Sequence, residues 1–354
     1  MSAIPPLRPD LALGEGYHSP QVDVEVRLNT NESPFAPPPG WTADFLEALA
    51  AVAFNRYPDR PATELRRAIS DLHGVGEDEV FCANGSNEVL QCLLLAFGGP
   101  GRTAALFEPT YALHSHIARL TGTRVIEGGR SDDFRIDVDE AAAWLAERRP
   151  DITFLCSPNN PTGRVEPKST VEAVLAAAPG LVIVDEAYGQ FASWSALELR
   201  GPANRGLVVT RTFSKTWAMA GARLGYLVAE PEVVRACEAV ALPYHLSTQT
   251  QIAGLLALGY GDEMAARIAQ ISEERGRVAA ALRDLGVETW PSEANFILFR
   301  PADGNAARVW QGLLEHSVLI RNCTSWDGLA GCLRVTIGLP EENDRFLIAL
   351  KETL

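Results

Sequence analysis

A chain of 354 residues, 47% of them hydrophobic, is long enough for one large α/β domain with a smaller domain attached. A formal net charge of −14 argues against general nucleic-acid or membrane-surface binding, so an anionic ligand would have to be drawn in by local arginines and helix N-termini. The first residues show no basic stretch followed by an apolar one, and no run nears the roughly 18 apolar residues of a spanning helix, which leads us to expect a soluble cytoplasmic protein.

In chain order, residues 1–40 are proline-rich, end in Pro37-Pro38-Pro39-Gly40, and predict an N-terminal arm laid on another surface. Helical patterning begins at Trp41 and recurs over 62–72. Seven short apolar runs follow, at 80–82, 104–107, 124–126, 152–155, 181–184, 207–209 and 226–228, separated by helix-length segments. That alternation predicts an α/β fold, a mostly parallel sheet flanked by helices, over a large domain at 41–245. Beyond it the texture changes. A long helical region at about 248–285 breaks near Gly259-Tyr260-Gly261, then strand candidates come at 295–299, 318–321 and 332–337. Pro340-Glu341-Glu342 opens a final helix, so 246–354 predicts a smaller α+β domain. The six cysteines (82, 92, 156, 237, 323, 332) lie mostly in apolar runs without C-x-x-C spacing, which predicts buried free thiols.

The ends of the apolar runs carry the chemistry. Ligands of open α/β sheets sit beyond the C-terminal ends of the strands. There the chain places Gly85-Ser86-Asn87 at a helix start, an anion cradle of backbone N–H groups, and Tyr111 at a strand-to-helix turn. Further ends bring the loop Ser157-Pro158-Asn159-Asn160-Pro161-Thr162-Gly163, then Asp185-Glu186-Ala187-Tyr188, and then Thr212-Phe213-Ser214-Lys215 with Arg223 eight residues on. A cradle, a planar aromatic, amides, a carboxylate, a lysine and an arginine are what a phosphorylated pyridine aldehyde requires. The lysine forms the Schiff base, the carboxylate keeps the ring nitrogen protonated, and the cradle and arginine hold the phosphate.

With these motifs the chain resembles the fold-type-I, class-II pyridoxal-phosphate aminotransferases, and among them it is most similar to the histidinol-phosphate aminotransferase family. The similarity runs from Arg27-Leu28-Asn29-Thr30-Asn31-Glu32 through Arg56-Tyr57-Pro58-Asp59 and Pro243-Tyr244-His245-Leu246-Ser247 to Leu333-Arg334-Val335-Thr336-Ile337-Gly338. The resemblance implies pyridoxal 5'-phosphate as cofactor, with Lys215, Asp185 and Tyr188 as the catalytic residues. It implies that Gly85, Ser86, Asn87, Thr212, Ser214 and Arg223 hold the phosphate, that Tyr111 stacks on the ring, and that Asn160 and Tyr188 bond its hydroxyl oxygen. Tyr57 would reach the phosphate from the other subunit of a homodimer. Arg321 and Arg334, with Tyr17 and Asn31, would bind the substrate. The implied reaction is transamination of L-histidinol phosphate with 2-oxoglutarate in histidine biosynthesis.

The chain departs from the family pattern in two places. Asn87 stands where many relatives have aspartate, and Asn31-Glu32-Ser33-Pro34 replaces Asn-Glu-Asn-Pro near the substrate entrance. Aromatic amino-acid transamination and phosphothreonine decarboxylation on the same scaffold remain the alternatives, while a regulator would need a basic DNA-binding footprint that this acidic chain lacks. His114, His116 and His245 show no metal-ligand spacing such as H-E-x-x-H, so no metal is expected, though His245 sits where it could line the pocket. Neither a strand-linked G-x-G-x-x-G nor a P-loop is present.

Overall fold

The computed structural model describes residues 4–6 and 20–354. Among them the chain forms two sheets.

The larger sheet grows from the seven apolar runs: Val80–Ala83 (β2), Thr103–Glu108 (β3), Arg124–Gly129 (β4), Ile152–Cys156 (β5), Leu181–Asp185 (β6), Leu207–Thr212 (β7) and Gly225–Val228 (β8). Their order is β2-β8-β7-β6-β5-β3-β4. Neighbours pair in parallel except at β8, which runs antiparallel to both β2 and β7. The central strands are continuous apolar runs because helices cover both faces. On β6, Ile183 packs with Val89 and Leu93 of α3 (Ser86–Phe97) and with Val233 of α7 (Pro231–Val240). Its neighbours Val182 and Val184 face the other way, onto Leu145 of α5 (Val138–Arg148) and Val171 of α6 (Lys168–Ala177). The short α4 (Leu113–Leu120) follows β3.

Before this sheet come α1 (Pro39–Ala50) and α2 (Thr63–His73), both packed on α8 (Thr248–Leu258). The predicted break at Gly259-Tyr260-Gly261 separates α8 from α9 (Gly261–Asp284). Glu288–Thr289 (β9), Phe296–Arg300 (β10), Val318–Asn322 (β11) and Leu333–Thr336 (β12) then build the second sheet, with α10 (Ala306–Glu315) and α11 (Pro340–Thr353) packed on it.

One element escaped the sequence analysis. The arm contains a strand, Val26–Leu28 (β1), which adds in parallel to β11 at the edge of the second sheet. Val26 and Leu28 are each 2% exposed and join the core that holds Phe296, Ile320, Val335 and Phe346. Three residues give too short an alternation to read as a strand, and the partner lies 292 positions away. All six cysteines are buried and unbridged, as expected. Among the described residues no helix is long and apolar enough to cross a membrane.

Candidate active site

Parallel register brings the strand ends of the large sheet level. Cys156 faces Asp185 and Asp185 faces Thr210, so the loops after β5, β6 and β7 leave from one edge. Asp185 is 1% exposed, and a bare carboxylate there would be costly. Its Oδ1 accepts from the Thr210 hydroxyl at 3.2 Å and the Ala187 N–H at 3.1 Å. Its Oδ2 lies 2.9 Å from His114 Nε2. His114, fully buried on α4, stacks on Phe154 at 4.7 Å and meets Tyr111 edge-on at 5.3 Å. The sequence analysis weighed His114 only as a metal ligand. Its partner stands 71 positions later, and no local signal announces the pair.

Lys215 follows β7 and is partly buried, with its Nζ donating to the Thr30 carbonyl at 3.0 Å. Desolvation, and then the Arg334 and Arg223 guanidiniums, pull its pKa down to about 8, while Glu32 works against them. Nζ lies 5.8 Å from the centre of the Tyr188 ring. The Tyr188 hydroxyl accepts from Asn31 Nδ2 at 2.9 Å, and burial pushes its pKa up.

The cradle at the start of α3 is tight. Gly85 has φ +81°, and a Cβ there would sit 2.4 Å from Arg223 Nη2. A Cβ on Gly225 would sit 2.3 Å from Ser86 N. The absence of both side chains lets the arginine and the helix N-terminus, with its unpaired first N–H groups, face one point. Thr212 Oγ1 and Ser214 Oγ, 2.9 Å apart, close the same side. The Tyr111 hydroxyl donates to Asn87 Oδ1 at 3.2 Å.

The second sheet and the arm roof the site. Asn31 takes the left-handed conformation at φ 56°. Its backbone N–H donates to Thr336 Oγ1 at 3.0 Å, and its carbonyl accepts from Asn295 Nδ2 at 3.0 Å. Arg334 on β12 is 4% exposed; it donates to Asn160 Oδ1 and, at 2.9 Å, to the Asn29 carbonyl. Its Nε is buried with no hydrogen-bond partner among the described residues.

A cavity of about 380 Å³ lies between floor and roof. Asn160, Asp185, Tyr188, Lys215 and Tyr111 reach its wall from the strand ends. So do Ser86, Asn87, Thr212, Ser214 and Arg223 at the cradle, and Asn31 and Arg334 from the roof. Thr30, Glu32 and Cys156 line it as well; Glu32 belongs to the segment expected near the substrate entrance, while Thr30 and Cys156 carried no expected role. Three of the expected residues that the structure describes, Gly85, Arg321 and Tyr57, are not on the wall. Gly85 stands behind Arg223. Arg321 is buried beside Arg334 across the β11–β12 pair, with its guanidinium 5.4 Å over Trp326. Tyr57 is 80% exposed and stacks on Tyr244 at 4.5 Å. Tyr17 lies outside the described residues. His245 is also elsewhere, with its ring nitrogens 3.1 and 3.0 Å from the carbonyls of Leu242 and Cys82. A larger open groove, about 630 Å³, marks the opposite ends of the strands, where Arg102 and Arg205 are already paired with Asp151, Glu230 and Glu232.

The arrangement offers an anion cradle, an amine that loses its proton near pH 8, a buried carboxylate and a second anion site at the roof. It fits a phosphorylated aldehyde cofactor, because a Cβ at Gly85 would fill the cradle.

Histidinol-phosphate aminotransferase of Corynebacterium efficiens is 48% identical over 359 residues, covering 98% of this chain and 94% of that protein. Histidinol-phosphate aminotransferase of Thermobifida fusca is 49% identical over 357 residues, at 98% and 94% coverage. The crystal structure of histidinol-phosphate aminotransferase from Sinorhizobium meliloti in complex with pyridoxal-5'-phosphate superposes with a TM-score of 0.86 over 93% of this chain and 90% of that one. At its 24% identity, the superposition speaks for the fold alone. The model of the family described as aminotransferase class I and II matches residues 23–350, and the chain belongs to that family.

Proposed function

We propose that this chain is a pyridoxal-phosphate-dependent transaminase that takes the amino group of L-histidinol phosphate, a step of histidine biosynthesis, and passes it to 2-oxoglutarate. One observation carries the reading: a single cavity is lined by a lysine whose pKa is lowered to about 8 and by a buried arginine, Arg334. The relatives' printed activity, at about half identity over nearly the whole chain, supports the choice of donor.

The residues divide the work. Gly85, Ser86, Asn87, Thr212, Ser214 and Arg223 hold the cofactor phosphate, and Tyr111 covers the ring. The bound cofactor supplies a carbonyl carbon for amine exchange and a ring that accepts electrons. Asp185, fixed by His114, Thr210 and the Ala187 N–H, holds a proton on the ring nitrogen. Asn160 and Tyr188 hydrogen-bond the ring hydroxyl oxygen. Lys215 Nζ would serve as the acid-base group, taking the proton from the donor Cα and delivering it to the carbon on the far side of the donor nitrogen. Arg334, with Arg321 behind it, binds the donor's anionic end. The Thr30 carbonyl fixes where the free Nζ stands.

The exposed Tyr57–Tyr244 stack lies outside the cavity of its own chain, which supports a homodimer whose partner supplies Tyr57 to the cradle. A stable, active monomer by light scattering would rule that out. Unbridged buried thiols support a cytoplasmic setting. The deciding test is a donor panel on the purified, cofactor-loaded protein: histidinol phosphate, phenylalanine and phosphothreonine, each with 2-oxoglutarate. Histidinol phosphate should give the highest kcat/KM. A preference for phenylalanine, or release of carbon dioxide from phosphothreonine, would replace the reading.

A further inference from the structure

Charge on the cavity wall is lopsided. Lys215, Arg223 and Arg334 are cationic, and the opposing carboxylates are Asp185 and Glu32. Asp185 is fully engaged from below by His114, Thr210 and the Ala187 N–H. Glu32 is not. It is exposed at the mouth, where Oε2 accepts a hydrogen bond from the Thr30 hydroxyl at 2.9 Å. Among the described residues it forms no ion pair with lysine or arginine.

Its backbone is nevertheless held firmly. The left-handed Asn31 just before it is locked to Tyr188 and Thr336 through its side chain. Asn295 Nδ2 donates to the carbonyl of Asn31 at 3.0 Å and approaches that of Glu32 at 3.4 Å. Glu32 therefore extends from an anchored backbone at the mouth of a cavity whose other wall charges are mostly cationic. A substrate carrying only anionic groups gains from Arg334 and loses to Glu32. A substrate with an anion at one end and a ring N–H elsewhere gains from both.

We propose that Glu32 is a specificity residue for the amino donor: its carboxylate accepts a hydrogen bond from a ring N–H of the donor whose anionic end Arg334 holds. This rests on the transamination reading above and deepens it to the chemistry of the donor's side chain. An imidazole provides that N–H, and a second one with positive charge when protonated, so the bond is charge-assisted on one side or both. A phenyl ring provides none and gains nothing from the carboxylate. The same group thus favours one donor class over another, the asymmetry by which a polar pocket discriminates.

The test uses Glu32→Ala and Glu32→Gln in the cofactor-loaded enzyme. Glutamine can keep the bond from Thr30 while losing the charge. The ratio of kcat/KM for histidinol phosphate over phenylalanine should fall roughly 10-fold in the alanine variant and less in the glutamine one, mostly through KM for histidinol phosphate. Calorimetric binding of histidinol phosphate in a Lys215→Ala background should weaken by a similar factor when Glu32→Ala is added, without any turnover. A ratio that holds within about 2-fold while both donors decline together overturns the proposal, because Glu32 then acts on Lys215 or on the arm. If the unmodified enzyme prefers phenylalanine, the donor assignment under Proposed function fails, and that result is visible before any variant is made.

Discussion

The floor and the roof of the cavity are built by different means. The floor is the edge of one sheet: Asp185, Thr212, Lys215 and Asn160 follow directly from strands whose register levels them. The roof combines residues from opposite ends of the chain, with Thr30, Asn31 and Glu32 in the arm and Arg334 on β12. In the proposed function the floor carries groups that would act on any amine held there, while the roof carries groups that would touch what makes one substrate differ from another. Catalysis and selection are thus assigned to separately anchored parts of the molecule.

The division can be broken by experiment. Lys215→Ala removes the floor's acid-base group, so turnover should fall at least about 10³-fold for every donor, together with loss of the visible absorbance of the loaded enzyme. A variant that kept either would contradict the division at its base. At the roof, Arg334→Ala should raise KM for anionic donors about 10²-fold by leaving their charge unpaired, with a smaller change in kcat. An equal loss in kcat would place Arg334 with the floor. Asn31→Ala deletes a buried set of bonds at a left-handed position, so thermal unfolding should report about 2 kcal/mol of lost stability, with donor KM rising too. Gly85→Ala is a floor variant of another kind. The new Cβ displaces Arg223, and cofactor affinity by titration should drop on the order of 10-fold.

The smallest effect concerns pH. Lys215 has its pKa lowered to about 8 from an ordinary 10.5, so in the folded, cofactor-free chain the amine is charged below about pH 8 and neutral above it. Capture of added cofactor, followed by growth of visible absorbance, should therefore speed up through pH 8 and then level off. The folded chain binds fewer protons than the unfolded one between 8 and 10.5, so stability gains a contribution as pH rises through that window. The Lys215→Ala chain should lack it.

Much of the floor was legible in the sequence because its signals are local. Apolar runs mark buried strands, and the residues just beyond them mark the edge where ligands bind. All seven runs became strands of one sheet, and the reversal of β8 leaves it mostly parallel. His114 is the exception on the floor. It reaches Asp185 only because β3 and β6 belong to one sheet with β5 between them. The roof was less legible. Arg334 and Asn31 came from resemblance, not from any pattern around them. Thr30 and Glu32 came only as part of the resembling segment, without a role, since their positions depend on β1 docking beside a strand formed some 290 residues later, as the register Val26 to Val318 shows. Tyr57 was expected at the cradle from the partner, and in one chain it stands exposed on Tyr244.

That docking has a mechanical consequence. β1 is stitched to β11, and two residues beyond its end the Thr30 carbonyl holds Lys215 Nζ at 3.0 Å. Arg334, on the neighbouring strand of the same sheet, grips the Asn29 carbonyl next to it. Carbonyl and guanidinium are therefore tied to one short segment of the arm, so the position of the free amine and that of the roof arginine are set by the same three-residue strand.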